Sequence, residues 1–323
     1  MLRCLMFPGV DAIESPLHRR ALLDFPEVRA RLEQAQAVLD RQGSPSHLLQ
    51  FMEGPNQATR EWFTQLTLST PPVHQALYER YCEEHGVPNL VLSCSLGDIS
   101  RNLCLGLIDL ETALTGLQLF TDHALRARNG AVYRVTSPSG FSEPEIREWA
   151  DQSVWVSIYQ NPGQLLVGGR RGDLLRWAES LPRTRPGRRV QPLYPFALHT
   201  PLMAESAEVL RDHVRGASVR LPSVKSYSAV SEKWLDSADE FRDEVFLNIQ
   251  RPVRWSQSIA YLGRTYPEMR FDSLGPTATL VRFFARITGE TARVTDFFES
   301  LSAPSSLAAV PDKLRQELCV SEN

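Results

Sequence analysis

Residues 89–98, Asn89-Leu-Val-Leu-Ser-Cys-Ser-Leu-Gly-Asp98, pass from an apolar run through a tight turn into a helical pattern. The apolar run is short and is bounded by Pro88 and Gly97, which is typical of a buried strand. A long helical pattern follows, through Leu103, Leu107, Leu114 and Leu117. Residues 26–42 and 72–85 also have the apolar spacing of helices. A strand, a sharp turn and a helix in this order indicate an α/β sheet.

Ser95 lies at this turn, where the predicted strand ends and the helix begins. A serine held there projects its hydroxyl outward, and the backbone N–H of the next residue can stabilise an oxyanion. The nucleophile elbow of hydrolases reads GxSxG, but here Ser93 replaces the first glycine and only Gly97 remains. These residues alone leave Ser95 as either a helix cap or a nucleophile.

A nucleophilic serine needs a base, and His199 is the candidate among the seven histidines. It stands in Tyr194-Pro-Phe-Ala-Leu-His-Thr-Pro-Leu-Met203, where an apolar, strand-like run ends just before a helix. A histidine at that boundary can face the same edge of the sheet as Ser95. The residues alone also allow a histidine that bonds only the backbone.

The composition is that of an ordinary globular protein and argues against several classes of function. The net charge of −3 offers no basic stripe for nucleic acid. The five cysteines include no CxxC pair, which disfavours a zinc ribbon or a disulfide framework and favours a reducing cytoplasm. We see no secretion signal at the start and no apolar run long enough for a membrane span.

In the middle of the chain, at about residues 131–180, the sequence pattern changes to short, strand-like stretches separated by turns. Three stretches are rich in β-branched and aromatic residues and predict strands: 131–136, 153–158 and 164–168. Helices fit at 143–150 and 172–180. The order of strand, helix, strand, strand and helix predicts a small α+β insert.

We therefore expect two subdomains. Residues 130–193 form the small one, and residues 1–129 and 194–323 form the large one. The basic run Pro182–Arg189 predicts a solvated loop that leads out of the insert.

Six segments, spread in order over almost the whole chain, match the motifs of one family. They are Phe7-Pro-Gly9, Ser93–Asp98, Asn161-Pro-Gly-Gln164 with Gly168, Phe196–Met203, Pro252-Val-Arg-Trp255 and Leu274-Gly-Pro276. In these segments the chain resembles malonyl-CoA:acyl carrier protein transacylases and the acyltransferase domains of polyketide synthases. The resemblance implies an α/β-hydrolase-like large subdomain with an inserted ferredoxin-like α+β small subdomain.

The resemblance also implies a mechanism. Ser95, deprotonated by His199, would attack a thioester carbonyl and become acylated, and a carrier thiol or water would then take the acyl group. The backbone N–H groups of Val10 and Leu96 would hold the oxyanion. The backbone carbonyl of Asn248 would orient His199, in the role that an aspartate has in hydrolase triads.

One departure from the family bears on the substrate. The family binds the malonyl carboxylate with an arginine on the helix after the nucleophile, and the alignment puts Phe120 or a direct neighbour at that position. Residues 117–123 contain no arginine. Because a buried carboxylate without a cation is costly, malonyl-CoA becomes a poor candidate. A different register would bring Arg126 or Arg128 to the pocket instead.

Two further departures concern the acyl pocket. Cys94 replaces the usual histidine before the nucleophile, and it is expected to act as a small buried apolar residue. Val10-Asp11 replaces Gln-Gly. Together these changes predict a more apolar pocket, lined by Phe120, Cys94 and Leu198.

Three functions stay open from the sequence. The first is an acyltransferase that moves a non-carboxylated acyl group between CoA or acyl-carrier-protein thioesters in polyketide biosynthesis. The second is a trans-acting hydrolase that releases stalled acyl groups from carrier proteins, and the third is an inactive carrier-binding module.

We expect a cytoplasmic monomer that binds neither nucleic acid nor a membrane. The resemblance implies an acyl carrier protein, and acyl-CoA, as its partners. It implies no metal and no cofactor besides the acyl-CoA or acyl-phosphopantetheine substrate. Because carriers of this family are acidic, the candidates for a docking face are basic: Arg183, Arg185, Arg188 and Arg189.

Overall fold

The computed structural model describes residues 2–56, 59–126, 129–181, 187–215, 221–276 and 278–302. Its strands are β1 (Arg3–Phe7), β2 (Leu90–Ser93), β3 (Gly130–Thr136), β4 (Val154–Asn161), β5 (Gln164–Arg170), β6 (Arg189–Tyr194), β7 (Lys225–Tyr227), β8 (Arg270–Ser273) and β9 (Val294–Asp296). Its α-helices are α1 (Pro16–Leu22), α2 (Pro26–Arg41), α3 (Leu48–Glu53), α4 (Arg60–His85), α5 (Gly97–Cys104), α6 (Leu110–Arg126), α7 (Glu143–Asp151), α8 (Arg171–Ser180), α9 (Ala204–Arg215), α10 (Ala238–Gln250), α11 (Trp255–Thr265), α12 (Thr279–Thr288) and α13 (Phe297–Ser302).

The larger sheet is parallel and has the strand order β7-β2-β1-β8-β9. The central strands β1 and β2 are buried along nearly their whole length, as both faces of a parallel sheet are covered by helices. Phe7 pairs with Ser93, so β1 and β2 end side by side. Ligands of open α/β sheets bind outside these carboxyl ends, where Ser95 also lies.

The smaller sheet is antiparallel and has the order β4-β5-β3-β6. With α7 and α8 it forms a β-α-β-β-α-β unit, so the predicted combination of a hydrolase-like and a ferredoxin-like part is confirmed. The strand β6 was not predicted. Its residues are mostly exposed or half-exposed at the sheet edge and include Pro192, so they lack the apolar alternation of a buried strand.

The two faces of β3 pack against different parts of the molecule. Ala131, Tyr133 and Val135 lie in one cluster with Trp149 of α7 and Trp177 of α8. Val132, on the opposite face, lies in a cluster with residues of the large sheet. The small sheet therefore shields its own core with two helices and presents its other face to the large sheet.

The segment Pro252–Trp255 joins the two sheets. The backbone N–H of Val253 donates to the carbonyl of Ser157 at 2.9 Å, and the Val253 carbonyl accepts from the N–H of Tyr159 at 2.9 Å. The adjacent Trp255 is fully buried. This sequence landmark thus anchors β4 to the large subdomain.

Helix α4 begins at Arg60, although the pattern of the sequence predicts a helix only from residue 72. Pro71 and Pro72 lie inside it, and each lacks the N–H that would bond to the preceding turn. Residues around the two prolines are buried on all sides, from Leu66 to Ala76 with the exception of Gln75. Tertiary packing stabilises the helix where local propensity opposes it.

The helical pattern after the turn forms two helices instead of one. Helix α5 ends at Cys104, and Gly106 then adopts a positive φ of 70°. Asp109 starts α6, because its carboxylate accepts a hydrogen bond of 2.7 Å from the backbone N–H of Thr112.

Candidate active site

Ser95 sits on the sharp turn between β2 and α5 with a φ of 55°. The turn needs Gly97, because a side-chain carbon there would lie 2.4 Å from the carbonyl oxygen of Phe7. The remaining glycine of the elbow therefore lets α5 begin directly against the end of β1. The Ser95 side chain is left half-exposed at the carboxyl edge of the sheet.

His199 reaches Ser95 from the segment between β6 and α9. Its Nε2 lies 2.8 Å from the Oγ of Ser95, and its Nδ1 donates to the backbone carbonyl of Asn248. Its own backbone N–H donates to the carbonyl of Ile249 at 2.8 Å. The imidazole is thus held between the end of α10 and the serine, and residues 95, 199 and 248 come together.

The charge state of His199 suits a base. The ring is 5% exposed, and burial lowers its pKa from the usual 6.5 to about 4, although the hydrogen bond to the Asn248 carbonyl opposes this. Because Nδ1 carries the proton that bonds this carbonyl, the lone pair of Nε2 is free to accept the proton of Ser95.

The two backbone N–H groups expected to hold an oxyanion belong to Leu96, which follows the serine directly, and to Val10, which follows Gly9. Gly9, which precedes Val10, lies close to the serine, because a side-chain carbon added to Gly9 would be 3.3 Å from the Cβ of Ser95. In the described part of the chain, no hydrogen bond from the N–H of Val10 or Leu96 is seen. Both N–H groups are thus available to a negatively charged oxygen.

Asn248 contributes a second contact that the sequence did not reveal. Its side-chain Nδ2 donates to the backbone carbonyl of Ser95 at 2.6 Å. The residue therefore holds both the serine turn and the histidine ring. No local pattern signals it, because the two contacts join residues 153 and 49 positions apart.

The three expected pocket residues are divided between the two largest apolar clusters of the described residues. Phe120 belongs to the cluster between the large sheet and the helices around α4, and Cys94 belongs to the cluster that includes Val132. Leu198 contacts both. Burial raises the pKa of the Cys94 thiol well above its usual value, which disfavours a second nucleophile.

Residues 117–123 of α6 include no arginine and no lysine. The two arginines that a different register would bring to the pocket cannot be compared with this prediction. Arg128 and the side chain of Arg126 lie outside the described residues.

Asp11 places a carboxyl group close to Ser95. Both residues lie close to Gly9: a side-chain carbon added there would be 3.4 Å from Oδ1 of Asp11 and 3.3 Å from Cβ of Ser95. Burial raises the pKa of Asp11, whereas hydrogen bonds from its own N–H, from Thr279 and from the Gly9 N–H lower it. The expectation that the Val10-Asp11 substitution makes the pocket more apolar is therefore wrong for Asp11.

A buried polar network lies under the serine turn. Ser93 Oγ donates to Asp98, and Nη1 of Arg101 lies 3.0 Å from Ser93 Oγ and 3.1 Å from Asp98 Oδ1. Burial raises the pKa of Asp98 to about 7; the charge of Arg101 opposes this shift, and that of Glu244 adds to it. Ser93, which replaces the first glycine of the elbow, thus has a structural role. The three-residue spacing of Asp98 and Arg101, which suits an ion pair on one helix face, could have indicated this network.

The candidate docking arginines have different environments. Arg188 pairs with Glu145 at 2.6 Å and its side chain is 5% exposed, so the prediction that it contributes to a docking face is wrong. Arg189 is exposed. Arg183 and Arg185 lie outside the described residues.

Two further expectations concern metals and membranes. Over the described ranges, no group of three or more histidine, cysteine, aspartate or glutamate side chains is arranged to hold a metal ion. In the same ranges, no helix combines the length and the apolar character that crossing a membrane requires.

No family model matches the chain, but individual proteins do. The malonyl CoA-acyl carrier protein transacylase of Haemophilus influenzae is 23% identical over 300 residues, which cover 90% of this chain and 94% of that protein. Polyketide synthase GfsA of Streptomyces halstedii is 27% identical over 183 residues, 55% of this chain but only 2% of the synthase. A malonyl-transacylase solved in complex with its type II polyketide synthase acyl-carrier protein superposes with a TM-score of 0.78 and 21% identity, over 92% of this chain and 95% of that one.

Proposed function

Since the chain belongs to the family of malonyl-CoA:acyl carrier protein transacylases and polyketide synthase acyltransferases, we propose that it transfers a non-carboxylated acyl group between thioesters through an acyl-Ser95 intermediate. The observation that carries this proposal is the 2.8 Å contact between Ser95 Oγ and His199 Nε2. The bond from His199 Nδ1 to the Asn248 carbonyl fixes the tautomer that this contact requires.

The first half-reaction loads the enzyme. His199 Nε2 takes the proton of Ser95 Oγ as this oxygen attacks the thioester carbonyl carbon. The N–H groups of Val10 and Leu96 stabilise the negatively charged carbonyl oxygen. The carbon–sulfur bond then breaks, and the proton on Nε2 passes to the departing thiolate.

The second half-reaction reverses these steps with a new thiol. Its sulfur gives its proton to His199 and attacks the acyl-serine ester, and Ser95 leaves with the proton returned by Nε2. We propose an acyl carrier protein of polyketide biosynthesis as the acceptor, in line with the related transacylase that was solved with its carrier.

The surroundings of Ser95 support an acyl group without a carboxylate. Phe120 stands where the family has a cation, and the carboxylate of Asp11 lies beside Ser95. A carboxylate on the acyl group would lack the family's cation and would be repelled by Asp11. An uncharged acyl group avoids both costs.

The test is one incubation followed by intact-protein mass. The protein is mixed with butyryl- or malonyl-loaded carrier, with and without a second, free carrier. The proposal expects a butyryl adduct on the protein and its appearance on the second carrier, with malonyl slower. Ser95→Ala should abolish the adduct, while Ser142→Ala, a change at an exposed serine, should leave it intact.

Three results would contradict the proposal. Loss of butyryl from the donor without gain on the second carrier indicates a hydrolase, in which water attacks the acyl-serine. The absence of any adduct with every donor indicates a carrier-binding module without turnover. Malonyl transfer faster than butyryl transfer would refute the assignment of a non-carboxylated substrate.

A further inference from the structure

Arg101 is a fully buried arginine on α5, the helix that follows the serine turn. Its Nη1 lies 3.0 Å from the Oγ of Ser93, before the turn, and 3.1 Å from the Oδ1 of Asp98, after the turn. Ser93 and Asp98 flank Ser95 in the sequence. One guanidinium nitrogen thus contacts both ends of the segment that carries the nucleophile.

The same guanidinium lies over a ring of α10. Its central carbon is 5.3 Å from the centre of the Phe241 ring, which is the geometry of a cation–π contact. Phe241 and Asn248 are both buried, and their spacing of seven residues puts them on one face of α10, two turns apart. Arg101 therefore connects the serine turn with the helix that carries Asn248.

Helix α10 in turn orients the histidine. The carbonyl of Asn248 accepts from His199 Nδ1, and the side-chain Nδ2 of Asn248 donates to the carbonyl of Ser95 at 2.6 Å. The middle of α10 is held by the buried carboxylate of Glu244, which accepts from the hydroxyl of Ser228, directly after β7. The position of α10 relative to the serine turn therefore decides whether His199 Nε2 meets Ser95 Oγ.

A fully buried cation is a costly way to stabilise a fold. Nη2 of Arg101 is shielded from solvent and has no hydrogen-bond partner among the described residues. An apolar side chain would avoid this cost, but it could not contact Ser93 and Asp98 through hydrogen bonds at the same time. A directional buried network of this kind favours one arrangement of the elements that it joins.

We propose that Arg101 is a positioning residue, which keeps the serine turn and α10 at the spacing at which Ser95 Oγ meets His199 Nε2. This inference deepens the proposed function, because it concerns the same reacting pair. Since Arg101 is fully buried, a donor cannot contact it. Its loss is therefore expected to slow the reaction of Ser95 and to leave KM for the donor unchanged.

The test measures how fast Ser95 reacts with two reagents, each followed by intact mass. One is the butyryl-carrier donor. The other is a small alkyl fluorophosphonate, which forms a phosphonyl ester with Ser95 as fluoride leaves and His199 takes the serine proton. This reagent has neither a carrier nor an acyl chain, so it reports on the alignment of the serine and the histidine. Arg101→Met should slow both reactions about tenfold or more, with KM for the donor within about twofold of the wild type.

Arg188→Met is the matched control. Arg188 is also a buried arginine that pairs with a carboxylate and lies over a phenylalanine ring, but it belongs to the small subdomain. This variant should lose stability and keep both rates within about twofold of the wild type. Urea unfolding measures the stability of each variant.

Phe241→Leu tests the link to α10 from the other side. It removes the ring that Arg101 lies over and should slow both reactions. The variant with both changes should be no slower than the slower single variant, because the two changes break the same link. If Arg101→Met does not fold, because Asp98 is left buried without its cation, Arg101→Met with Asp98→Asn removes both charges and should show the same losses.

Three results would overturn the role of Arg101. They are unchanged rates with both reagents, slower butyryl transfer with unchanged fluorophosphonate labelling, which indicates a role in carrier binding, and losses that are fully additive in the double variant, which show that Arg101 and Phe241 act separately. Labelling of the wild type without any acyl transfer contradicts the proposed function alone, and the labelling rates still test Arg101. A wild type that neither reagent modifies refutes both.

Discussion

Ser95 and His199 both adopt backbone angles that non-glycine residues rarely use, with φ values of 55° and 59°. Such a conformation costs on the order of 1–3 kcal/mol and persists only where the surroundings enforce it. Asn248 meets both residues, through its side chain at Ser95 and its backbone carbonyl at His199. Among the described residues, only Ser153 and Glu232 are further non-glycine positions with a positive φ, so half of these strained positions belong to the pair that the proposed reaction uses.

The pKa of His199 predicts the pH dependence of acylation. Only the neutral ring can accept the proton of Ser95, and burial lowers its pKa to about 4. We expect the acid limb of kcat/KM near pH 4 to 5, well below the 6.5 of an ordinary histidine. The measurement uses an acyl-N-acetylcysteamine donor, which has no carrier that unfolds in acid. A limb near pH 6.5 would contradict the assignment.

The buried His74 is expected to make the stability of the protein, and not its activity, depend on pH. It is fully buried against the Phe7 ring, neither ring nitrogen has a partner, and burial lowers its pKa to about 3. The unfolded chain therefore binds a proton that the folded chain does not, and the stability contributed by this group falls as the pH drops below 6.5 toward 3. The loss is about 1.4 kcal/mol per pH unit within that window.

Replacing His74 by leucine should remove this loss. We expect His74→Leu to raise the free energy of unfolding by about 2 kcal/mol more at pH 5 than at pH 7.5, relative to the wild type. Urea unfolding at both pH values measures it. His47→Leu, at an exposed histidine, is the control, and an identical pH dependence in His74→Leu and the wild type would count against the explanation.

At the scale of elements, β2, the serine turn and α5 form one unit with the end of β1. A side-chain carbon at residue 97 would lie 2.4 Å and 2.9 Å from the carbonyl oxygens of Phe7 and Pro8. Both contacts involve backbone atoms, so the steric clash can be relieved only if α5 moves away from β1. Because Ser95 precedes α5, such a movement also displaces the nucleophile.

Gly97→Ala should therefore lower both stability and activity. We expect a loss of about 2 kcal/mol or more in the free energy of unfolding, together with slower acylation of Ser95. Gly172→Ala is the control, because a side-chain carbon in that helix meets only the end of Arg176 at 3.6 Å. A Gly97→Ala variant with wild-type stability and rate would show that the turn has room to relax.

The elements also differ in how well the sequence predicts them. Strand β2 and helix α2 follow clear apolar patterns, and their predicted positions agree with the structure to within two residues at each end. Helix α4 and strand β6 do not, because two prolines oppose the helix and the strand lies at an exposed edge. Packing against the rest of the molecule decides both.

At the scale of the whole molecule, the neighbouring residues Arg188 and Arg189 are expected to have different roles, Arg188 in stability and Arg189 in docking of the carrier. Arg188 is paired with Glu145 and stacked over Phe141, whereas Arg189 is exposed. We expect Arg188→Ala to lower the free energy of unfolding by about 2 kcal/mol, because it removes the partner of a largely buried carboxylate.

Arg189→Ala should leave stability unchanged within about 0.5 kcal/mol. If its surface docks the acidic carrier, KM for the carrier rises, and the difference from the wild type shrinks at high salt. Thermal unfolding and carrier titration at two salt concentrations measure both variants. An unchanged KM in Arg189→Ala would exclude that residue from the docking face.

Most of the architecture could be predicted from the chain, because strands and helices follow from local apolar spacing and the six landmarks occur in family order. The same landmarks identified Ser95 and His199. Their 2.8 Å contact spans 104 residues of sequence, and no local spacing could establish it.

Only the tertiary structure revealed the carboxyl group of Asp11 close to Ser95. Asp11 follows β1, and the backbone at Gly9 lies close to both the Asp11 carboxyl group and the side chain of Ser95. A side chain's environment depends on distant segments that fold against it. The sequence alone therefore predicted Ser95 and His199 as the candidate pair, and the fold determined which charged group lies beside them.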